Sequence, residues 1–337
     1  MRNYLVHFFV VVTCFLLPAT FFAWWAEPLV GDLARTGHWT ERDFGSNAVQ
    51  PAIHVKASGH AMVNPEISVL SDSFGAPNLW QSVLAETTGY SVKSYNYDKN
   101  CITSWVAAAI REASNKIIVI ETVERSFVAR FADMPLCKNA EPVPMEITGG
   151  TTERRRTRWP PTLSWSYLAP TAMNTAALNF APKNQMNNAS VANVVIDPDC
   201  AGFSNRRNDR MLYFRDDELK ERWSEDEIQR AIRNVLRLQQ DVERSGKTFV
   251  FVIAPDKSSV YRRCLLSAAK DQTIPNINRA LIAAGINAPD MLETFREKVP
   301  ATIDLYRPND THWSEVGYIL AGETVGRYAM NKSGRTR

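Results

Sequence analysis

The sequence predicts an α/β protein with a doubly wound, mostly parallel sheet, preceded by a membrane-anchor helix and interrupted by an insertion. Short apolar and β-branched stretches recur along the chain, and segments with helical spacing of apolar residues separate them, which is the pattern of β–α–β units. The candidate strands cover residues 67–70, 91–95, 116–121, 194–196, 211–214, 248–254 and 302–305.

The first element is the apolar segment at the N-terminus, which we predict to be a signal-anchor or transmembrane helix over residues 1–26. Residues 4–26 are nearly all apolar, and about 20 such residues span the hydrocarbon core of a bilayer. Arg2 is the one charge before the segment, which favours a cytoplasmic N-terminus and an exported remainder. We therefore expect a periplasmic domain anchored to the inner membrane, with a cleaved signal peptide as the alternative.

An ordered lead-in is predicted for residues 27–60, and an α/β domain for residues 61–337. The clearest helix of this domain covers residues 224–245, where Ser224 and Glu227 form a capping-box signature and apolar residues follow at helical spacing. Further helices are expected at residues 77–88 and 314–330.

The α/β pattern stops between residues 128 and 190, a stretch too long for a simple connection. We predict an insertion there that covers one side of the carboxyl edge of the sheet. Its run of arginines at residues 153–161 is followed by Trp165 and Tyr167. Guanidinium groups pair with carboxylates, and an indole packs on a pyranose face, so the segment suits an anionic sugar. An exposed loop without a specific role is the alternative.

Net charge and cysteine usage exclude some classes of function. The net charge of +3 is too small for the concentrated basic face that binds nucleic acid. Wide cysteine spacing argues against a zinc site, for which close Cys-x-x-Cys pairs are typical. Beyond Cys14 in the apolar segment, disulfides in an oxidising compartment and buried free thiols remain equally open, as does the connectivity. The residues concerned are Cys101, Cys137, Cys200 and Cys264.

Two short motifs at opposite ends of the α/β pattern predict a catalytic triad. An apolar run at residues 67–70 leads into Asp72-Ser73 and then into a helix. Such a strand–turn–helix arrangement lifts a serine hydroxyl to the end of a sheet. A serine needs a base, and the base needs an orienting acid. We assign Ser73 as nucleophile, His312 as base and Asp310 as acid; a turn serine and a helix-start histidine are the alternatives.

These motifs resemble the SGNH (GDSL-type) hydrolase superfamily. Further strings resemble the SGNH-like domain of alginate and polysaccharide O-acetyltransferases. They are Ile-Glu-Thr-Val-Glu-Arg at 120–125, Ala-Pro-Asp-Lys-Ser-Ser-Val-Tyr at 254–261 and Asp-Thr-His-Trp at 310–313. The chain departs from the family because Ser71 replaces the glycine of the Gly-Asp-Ser block. The serine block also precedes the Asp-x-His block, whereas the alginate proteins have the reverse order.

The resemblance suggests where an oxyanion and a sugar would bind. SGNH enzymes add a glycine and an asparagine to the serine N–H as oxyanion donors. Here Asn100 is the candidate side-chain donor, with a turn role as the alternative, and the segment after the third strand has no asparagine. Glu121 and Arg125 are candidate site residues at the end of that strand, with a structural ion pair as the alternative. Lys257 is a candidate contact to the acceptor sugar, with a solvated lysine as the alternative.

The resemblance implies an extracytoplasmic O-acetyltransferase. Ser73 would take an acetyl group and pass it to a polysaccharide hydroxyl, with no cofactor and no metal. A membrane-bound O-acyltransferase partner would supply the acetyl groups. The same triad could serve an esterase with water as the acceptor. A non-catalytic polysaccharide-binding subunit is the third alternative, because Ser71 and the missing asparagine depart from the family pattern.

Overall fold

The computed structural model describes residues 2–25, 31–37, 39, 41–135, 137, 141–152, 190–200, 202–266 and 275–334. Residues 153–189 lie outside this set. The arginine- and tryptophan-rich part of the predicted insertion, including Trp165 and Tyr167, is therefore outside the described residues, and its proposed role stays a prediction.

The described strands are short and begin after residue 53. In chain order they are β1 (His54–Val55), β2 (Ile67–Ser71), β3 (Val92–Asn96), β4 (Ile117–Val123), β5 (Gly150–Thr151), β6 (Val191–Val195), β7 (Arg210–Phe214) and β8 (Thr248–Ala254).

The described α-helices fall between these strands and at both ends of the chain. In chain order they are α1 (Arg2–Trp25), α2 (Asp32–Gly37), α3 (Glu41–Phe44), α4 (Leu79–Thr88), α5 (Ile102–Arg111), α6 (Phe127–Phe131), α7 (Glu225–Arg244), α8 (Lys257–Val260), α9 (Ile277–Ala283), α10 (Met291–Lys298) and α11 (Glu315–Lys332). The 3₁₀ helices are Glu124–Ser126, Arg215–Arg222, Arg262–Cys264 and Val299–Ala301.

A parallel four-stranded sheet forms the centre of the domain, in the order β3-β2-β4-β8. The predicted parallel α/β architecture is therefore confirmed. β6 and β7 pair antiparallel with each other as a separate ribbon, so the predicted strands at 194–196 and 211–214 do not extend the main sheet. The predicted strand at 302–305 is wrong. Asp304 has a left-handed backbone there (φ 54°), and its buried carboxylate accepts hydrogen bonds from Ser46 Oγ and from the Ser204 N–H.

Apolar side chains alternate between the two faces of the sheet. On one face, Val69 and Val119 belong to a core closed by α4, α10 and α11. On the other face, Leu70 and Ile118 belong to a core closed by α5, α6, α7 and α9. Strands that are buried on both faces give near-continuous apolar runs in the sequence, which is why the central strands were predictable.

The helix boundaries follow local signals. α7 begins after Ser224, whose side chain accepts from the Glu227 N–H, while the Glu227 carboxylate accepts from the Ser224 N–H, so the predicted capping box is present. α4 and α11 pack against each other. Gly322 permits their close approach, because a Cβ at this position would lie 2.5 Å from the Trp80 backbone oxygen. This helix pair connects the two ends of the α/β domain.

The predicted anchor segment forms α1. Within the described residues, however, no helix is long and apolar enough to cross a membrane. The anchor, the periplasmic location and the division of the chain at residues 26 and 60 therefore stay predictions.

The lead-in and the cysteines tie the periphery to the domain. Leu33 and Phe44 belong to a small apolar cluster that includes Val191 and Leu212 of the β6–β7 ribbon. The four cysteines whose pairing the sequence left open form two disulfides. They join Cys101 to Cys137 and Cys200 to Cys264, with Cα–Cα distances of 6.4 and 5.9 Å.

Candidate active site

The turn that follows β2 presents Ser73 to solvent. Asp72, which precedes it, is buried and fixes the turn. Its Oδ1 accepts from the Phe74 N–H at 3.0 Å, and its Oδ2 accepts from the Val123 N–H at 2.7 Å. Gly75 is required by a close approach, since a Cβ there would lie 1.9 Å from Ser71 Oγ. The nucleophile candidate thus stands on a turn that is bonded to the neighbouring strand.

The structure brings the three predicted triad residues together. His312 Nε2 lies 2.9 Å from Ser73 Oγ, and His312 Nδ1 lies 2.7 Å from Asp310 Oδ1. Asp310 Oδ1 also accepts from the backbone N–H of His312 at 2.9 Å. These distances allow His312 to hold a proton on Nδ1 and to accept the Ser73 proton on Nε2. Burial acts to raise the pKa of Asp310, but the bonds from His312 outweigh it and bring that pKa below its usual range.

Aromatic packing holds the imidazole from the side. The Phe74 ring centroid lies 4.8 Å from the His312 ring and 4.8 Å from the Trp313 ring. Phe74 and Trp313 are both fully buried. The residues that directly follow Ser73 and His312 therefore share one aromatic cluster, which restricts how far Ser73 and His312 can separate.

Lys257 supports the loop of residues 307–312, which carries Asp310 and His312, and this corrects its expected role as a sugar contact. It is fully buried, and its Nζ donates to the backbone oxygens of Arg307, Pro308 and Asp310 at 2.8, 3.0 and 3.3 Å. Burial lowers its pKa to about 7, whereas the three carbonyl acceptors and the Phe203 ring, 4.8 Å from Nζ, suit the ammonium form. A side chain in this position has no surface for a sugar.

Asn100 is also corrected. It is buried, and its Nδ2 donates to the backbone oxygens of Asn96 and Val143 at 2.9 and 2.8 Å. Its Oδ1 accepts from the Val143 N–H at 2.8 Å. Both ends of the amide are therefore committed to main-chain groups, so Asn100 is a turn support and offers nothing to an oxyanion.

The remaining oxyanion candidate is the N–H of Ser73 itself. Among the described residues it has no hydrogen-bond acceptor, whereas the neighbouring N–H groups of Asp72 and Phe74 donate to Glu121 Oε2 and Asp72 Oδ1. An uncommitted N–H beside the nucleophile is the type of donor that stabilises a developing oxyanion.

Glu121 lies beneath the site and has no exposed surface. Its Oε2 accepts from the Asp72 N–H at 3.1 Å. Burial, and then the charge of Asp72, raise its pKa well above the usual value. Arg130 donates to both Asp72 and Thr122 beside it. The expected substrate-binding role of Glu121 is thus corrected: its carboxylate supports the Asp72 turn.

Arg125 is held in structural ion pairs, but its partners are Asp217 and Asp256 and not Glu121, the partner that the sequence suggested. Its guanidinium donates to Asp256 and to Asp217, both fully enclosed, and lies over the Phe214 ring. The same buried network contains Lys220, which bonds Asp256 at 2.7 Å. The network joins the segments that directly follow β4 and β8 to the 3₁₀ helix Arg215–Arg222. It commits the Arg125 guanidinium to structural contacts.

A residue that the sequence did not predict stands beside the triad. Asp32, at the start of α2, has its Oδ2 3.7 Å from His312 Nδ1, and its Oδ1 accepts from the Thr311 N–H at 2.8 Å. Burial, and then the charge of Asp310, raise the pKa of Asp32 to about 6. No local motif marks this aspartate. The sequence signal was only the ordered character of the lead-in.

Asp32, Asp310 and His312 also form the one group of potential metal ligands among the residues that the structure describes, with ligand atoms within 4.8 Å of one another. His312 Nδ1 is already within hydrogen-bond distance of Asp310. A metal ion on this nitrogen would displace that bond, so we assign the group to the triad and not to a metal centre.

A parallel α/β sheet that presents an exposed serine to a histidine and an aspartate has the architecture of serine-dependent hydrolases and acyltransferases. Residues 208–336 match the family model ALGX, described as SGNH hydrolase-like domain, acetyltransferase AlgX. The predicted resemblance is therefore confirmed over this part of the chain. The match includes Lys257, Asp310 and His312, whereas Ser73 lies before it. No curated protein and no solved structure matches the chain.

Proposed function

We propose that the protein is an extracytoplasmic O-acetyltransferase that moves an acetyl group through a Ser73 ester to a polysaccharide hydroxyl. The proposal depends on one observation. The hydroxyl of exposed Ser73 is hydrogen-bonded to His312 Nε2 at 2.9 Å, and the other ring nitrogen of His312 is hydrogen-bonded to Asp310 at 2.7 Å. The family match over residues 208–336 supports acetyl transfer as the chemistry.

In the first step, Ser73 Oγ attacks the carbonyl carbon of an acetyl ester donor and its proton moves to His312 Nε2. Asp310 holds the other ring nitrogen and stabilises the imidazolium. The Ser73 N–H stabilises the oxyanion. The donor C–O bond then breaks, and His312 returns the proton to the leaving oxygen. The product is acetyl-Ser73.

In the second step, a sugar hydroxyl occupies the place of the leaving group. His312 Nε2 takes its proton while the hydroxyl oxygen attacks the acetyl carbon. The bond to Ser73 Oγ breaks, and His312 returns the proton to Ser73. The two steps balance with an ester donor and an alcohol acceptor alone, so no oxidant, reductant or nucleotide is needed.

The location and the partner are part of the proposal. The disulfides Cys101–Cys137 and Cys200–Cys264 favour an oxidising compartment, because such bonds are rare in the cytosol. Acetyl-CoA is not expected outside the cytoplasm. We therefore propose that a membrane-bound O-acyltransferase partner supplies the acetyl groups.

An esterase is the second candidate function, and the exposure of Ser73 favours it. Water that reaches acetyl-Ser73 would compete with a sugar hydroxyl. A bound acceptor can win this competition, because well-oriented groups reach effective molarities of about 10⁵ M or more. The hydrogen-bonded Ser73 and His312 argue against the third alternative, a non-catalytic subunit.

The test is an acetyl-transfer assay with the full-length chain. An aryl acetate serves as donor, with and without a panel of neutral and anionic oligosaccharides, and mass spectrometry identifies the sugars. We expect acetylated oligosaccharide that disappears in Ser73→Ala and persists in His60→Ala, an exposed histidine elsewhere on the surface. Free acetate as the sole product across the panel would support the esterase. No turnover, together with polysaccharide binding, would support the non-catalytic subunit.

A further inference from the structure

Two aspartates from opposite ends of the chain flank the catalytic histidine. Asp310 is bonded to His312 Nδ1, and the Asp32 carboxylate lies 3.7 Å from the same nitrogen. The main chain adds a reciprocal pair of bonds. The Thr311 N–H donates to Asp32 Oδ1 at 2.8 Å, and the Asp32 N–H donates to Asp310 Oδ2 at 3.3 Å. Each aspartate carboxylate thus lies beside the imidazole and also accepts a backbone N–H from the segment that carries the other aspartate.

The segment that carries Asp32 is fixed against the loop of residues 307–312, which carries Asp310 and His312 and is called the catalytic loop below. The Ala34 N–H donates to the Asn309 oxygen at 3.0 Å. Glu41 accepts from the Gly31 N–H at 3.1 Å and from Asn309 Nδ2 at 2.6 Å. A Cβ on Gly31 would lie 2.1 Å from the Asn309 oxygen, so this contact needs glycine. The lead-in is therefore a built part of the site.

Charged groups of both signs hold the loop that carries Asp310 and His312. The Lys257 ammonium donates hydrogen bonds to the backbone oxygens of Arg307, Pro308 and Asp310. The Asp32 carboxylate accepts a hydrogen bond from the N–H of Thr311. A cation thus binds carbonyls and an anion binds an N–H, and charge-assisted hydrogen bonds of this kind are roughly twice as strong as neutral ones.

We propose that Asp32 is a positioning residue of the active site. It holds the Asp310–His312 loop through Thr311, and its charge beside the ring stabilises the imidazolium formed in both chemical steps. This inference rests on the proposed function of Ser73, His312 and Asp310. The pKa of Asp32, raised by burial and by Asp310 to about 6, leaves the carboxylate largely ionised at neutral pH, where the charge can act.

Two substitutions separate the roles of Asp32. Asp32→Asn keeps an oxygen for the Thr311 N–H and removes the charge, whereas Asp32→Ala removes both. We expect Asp32→Asn to lower kcat by about tenfold with little change in KM, because the imidazolium loses a nearby negative charge. Asp32→Ala should lower kcat further, because it also frees the loop and small displacements of a catalytic group cost about tenfold or more. Asp241→Asn, a half-exposed surface carboxylate, is the matched control and should behave as the wild type.

A readout independent of turnover keeps the inference separate from the proposed function. In the full-length protein with ¹⁵N-labelled histidine, the ring N–H of His312 is assigned by its loss in His312→Ala. We expect this resonance to move in Asp32→Asn and to stay in Asp241→Asn. Wild-type kcat, KM and ring resonance in Asp32→Asn and Asp32→Ala would overturn the inference. A loss of activity that is fully explained by a smaller folded fraction of the variant would also overturn the inference. An inactive wild type with a shifted resonance in Asp32→Asn would count against the proposed function and not against the Asp32 contact.

Discussion

His312 and Ser73 are 239 residues apart in sequence, and their side chains meet at 2.9 Å. Ser73 precedes α4 and His312 precedes α11, and these two helices pack against each other. The distance between Ser73 and His312 therefore depends on a helix–helix contact as well as on the two loops. We expect the helix packing to affect the reaction that we propose for this pair.

The helix contact leads to the first prediction. Gly322→Ala places a methyl group 2.5 Å from the Trp80 backbone oxygen, whereas Gly326→Ala meets the Thr87 side-chain methyl at 2.7 Å, which has more freedom to move. Both changes lie in α11, so the gain in helix propensity cancels. We expect Gly322→Ala to be less stable than Gly326→Ala by about 1–3 kcal/mol in urea unfolding, which is the usual cost of overpacking. We also expect Gly322→Ala to lose more kcat than Gly326→Ala. Equal stability of the two variants would contradict this account.

The triad is the second prediction. Ser73→Ala and His312→Ala should each lower kcat for acetate release by about 10³-fold or more, and the double variant should be little worse than either, because triad members act as a unit. Asp310→Ala should lower kcat by a smaller factor. His60→Ala is the control. The assay is hydrolysis of a chromogenic acetyl ester, and additive losses in the double variant would argue against a shared mechanism.

The support of the catalytic loop is the third prediction. Lys257→Met leaves the backbone oxygens of Arg307, Pro308 and Asp310 without their donor. We expect kcat to fall by about 10-fold to 100-fold as the loop shifts, while KM for the donor changes little. Lys116→Met, a half-exposed lysine paired with Glu66, is the control for removal of a positive charge. A change in KM alone would instead point to a direct substrate contact.

The fourth prediction concerns pH and stability. The pKa of Asp32 rises from 3.8 to about 6 on folding, through burial and the charge of Asp310. The folded state therefore binds more protons than the unfolded state between about pH 4 and pH 6, so stability falls as pH rises through this window. Asp32→Asn removes this fall. Its free energy of unfolding, relative to the wild type, should increase from pH 4 to pH 7.

Groups near Asp32 that also titrate or carry charge are Asp310, His312, Lys257 and Glu41, and all remain in the variant. Urea unfolding of both proteins at several pH values measures the difference directly. A relative free energy that stays constant across this window would show that folding does not raise the pKa of Asp32. Combined with a lower kcat, the expected result would mark Asp32 as a residue that favours activity at a cost in stability.

The disulfides give the fifth prediction. Replacing Cys200 and Cys264 by serine opens a link that spans 64 residues, and removal of such a link costs about 2–5 kcal/mol. Cys14→Ser, at a cysteine that forms no disulfide in the described part of the chain, should leave stability unchanged. Peptide mapping without reductant should recover Cys101 joined to Cys137 and Cys200 joined to Cys264. Any other pairing would contradict the structure.

The parts of the fold and the site that local sequence signals encode were predictable. The central strands are buried on both faces, so they appear as apolar runs, and α7 carries its capping box in the sequence. Ser73, Asp310 and His312 were predictable because a strand–turn–helix pattern and an Asp-x-His motif mark them. Their hydrogen-bonded arrangement followed once the topology placed both motifs at one edge of the sheet.

Contacts between distant segments that no local motif marks were not predictable. Asp32 begins a helix of six residues and contacts Asp310, which is 278 residues away in sequence. No local motif marks this contact. Asn100 stands at the expected sheet edge, but its amide is taken by the main chain of Val143. Lys257 follows a strand as expected, yet its side chain points into the protein and bonds backbone carbonyls. The position of each residue along the chain predicted that it lies at the carboxyl edge of the sheet. The direction of its side chain depends on packing, which the sequence pattern does not encode.

The most direct test of the central claim is the detection of an acetyl ester on Ser73. The full-length chain is mixed with an acetyl ester donor, quenched in acid within a single turnover and digested for peptide mass spectrometry. We expect one acetyl group on the peptide that contains Ser73. It should be lost again when acceptor oligosaccharide is added before the quench, and it should be absent in Ser73→Ala. Turnover without acetyl-Ser73, or with acetylation at another residue, would contradict it.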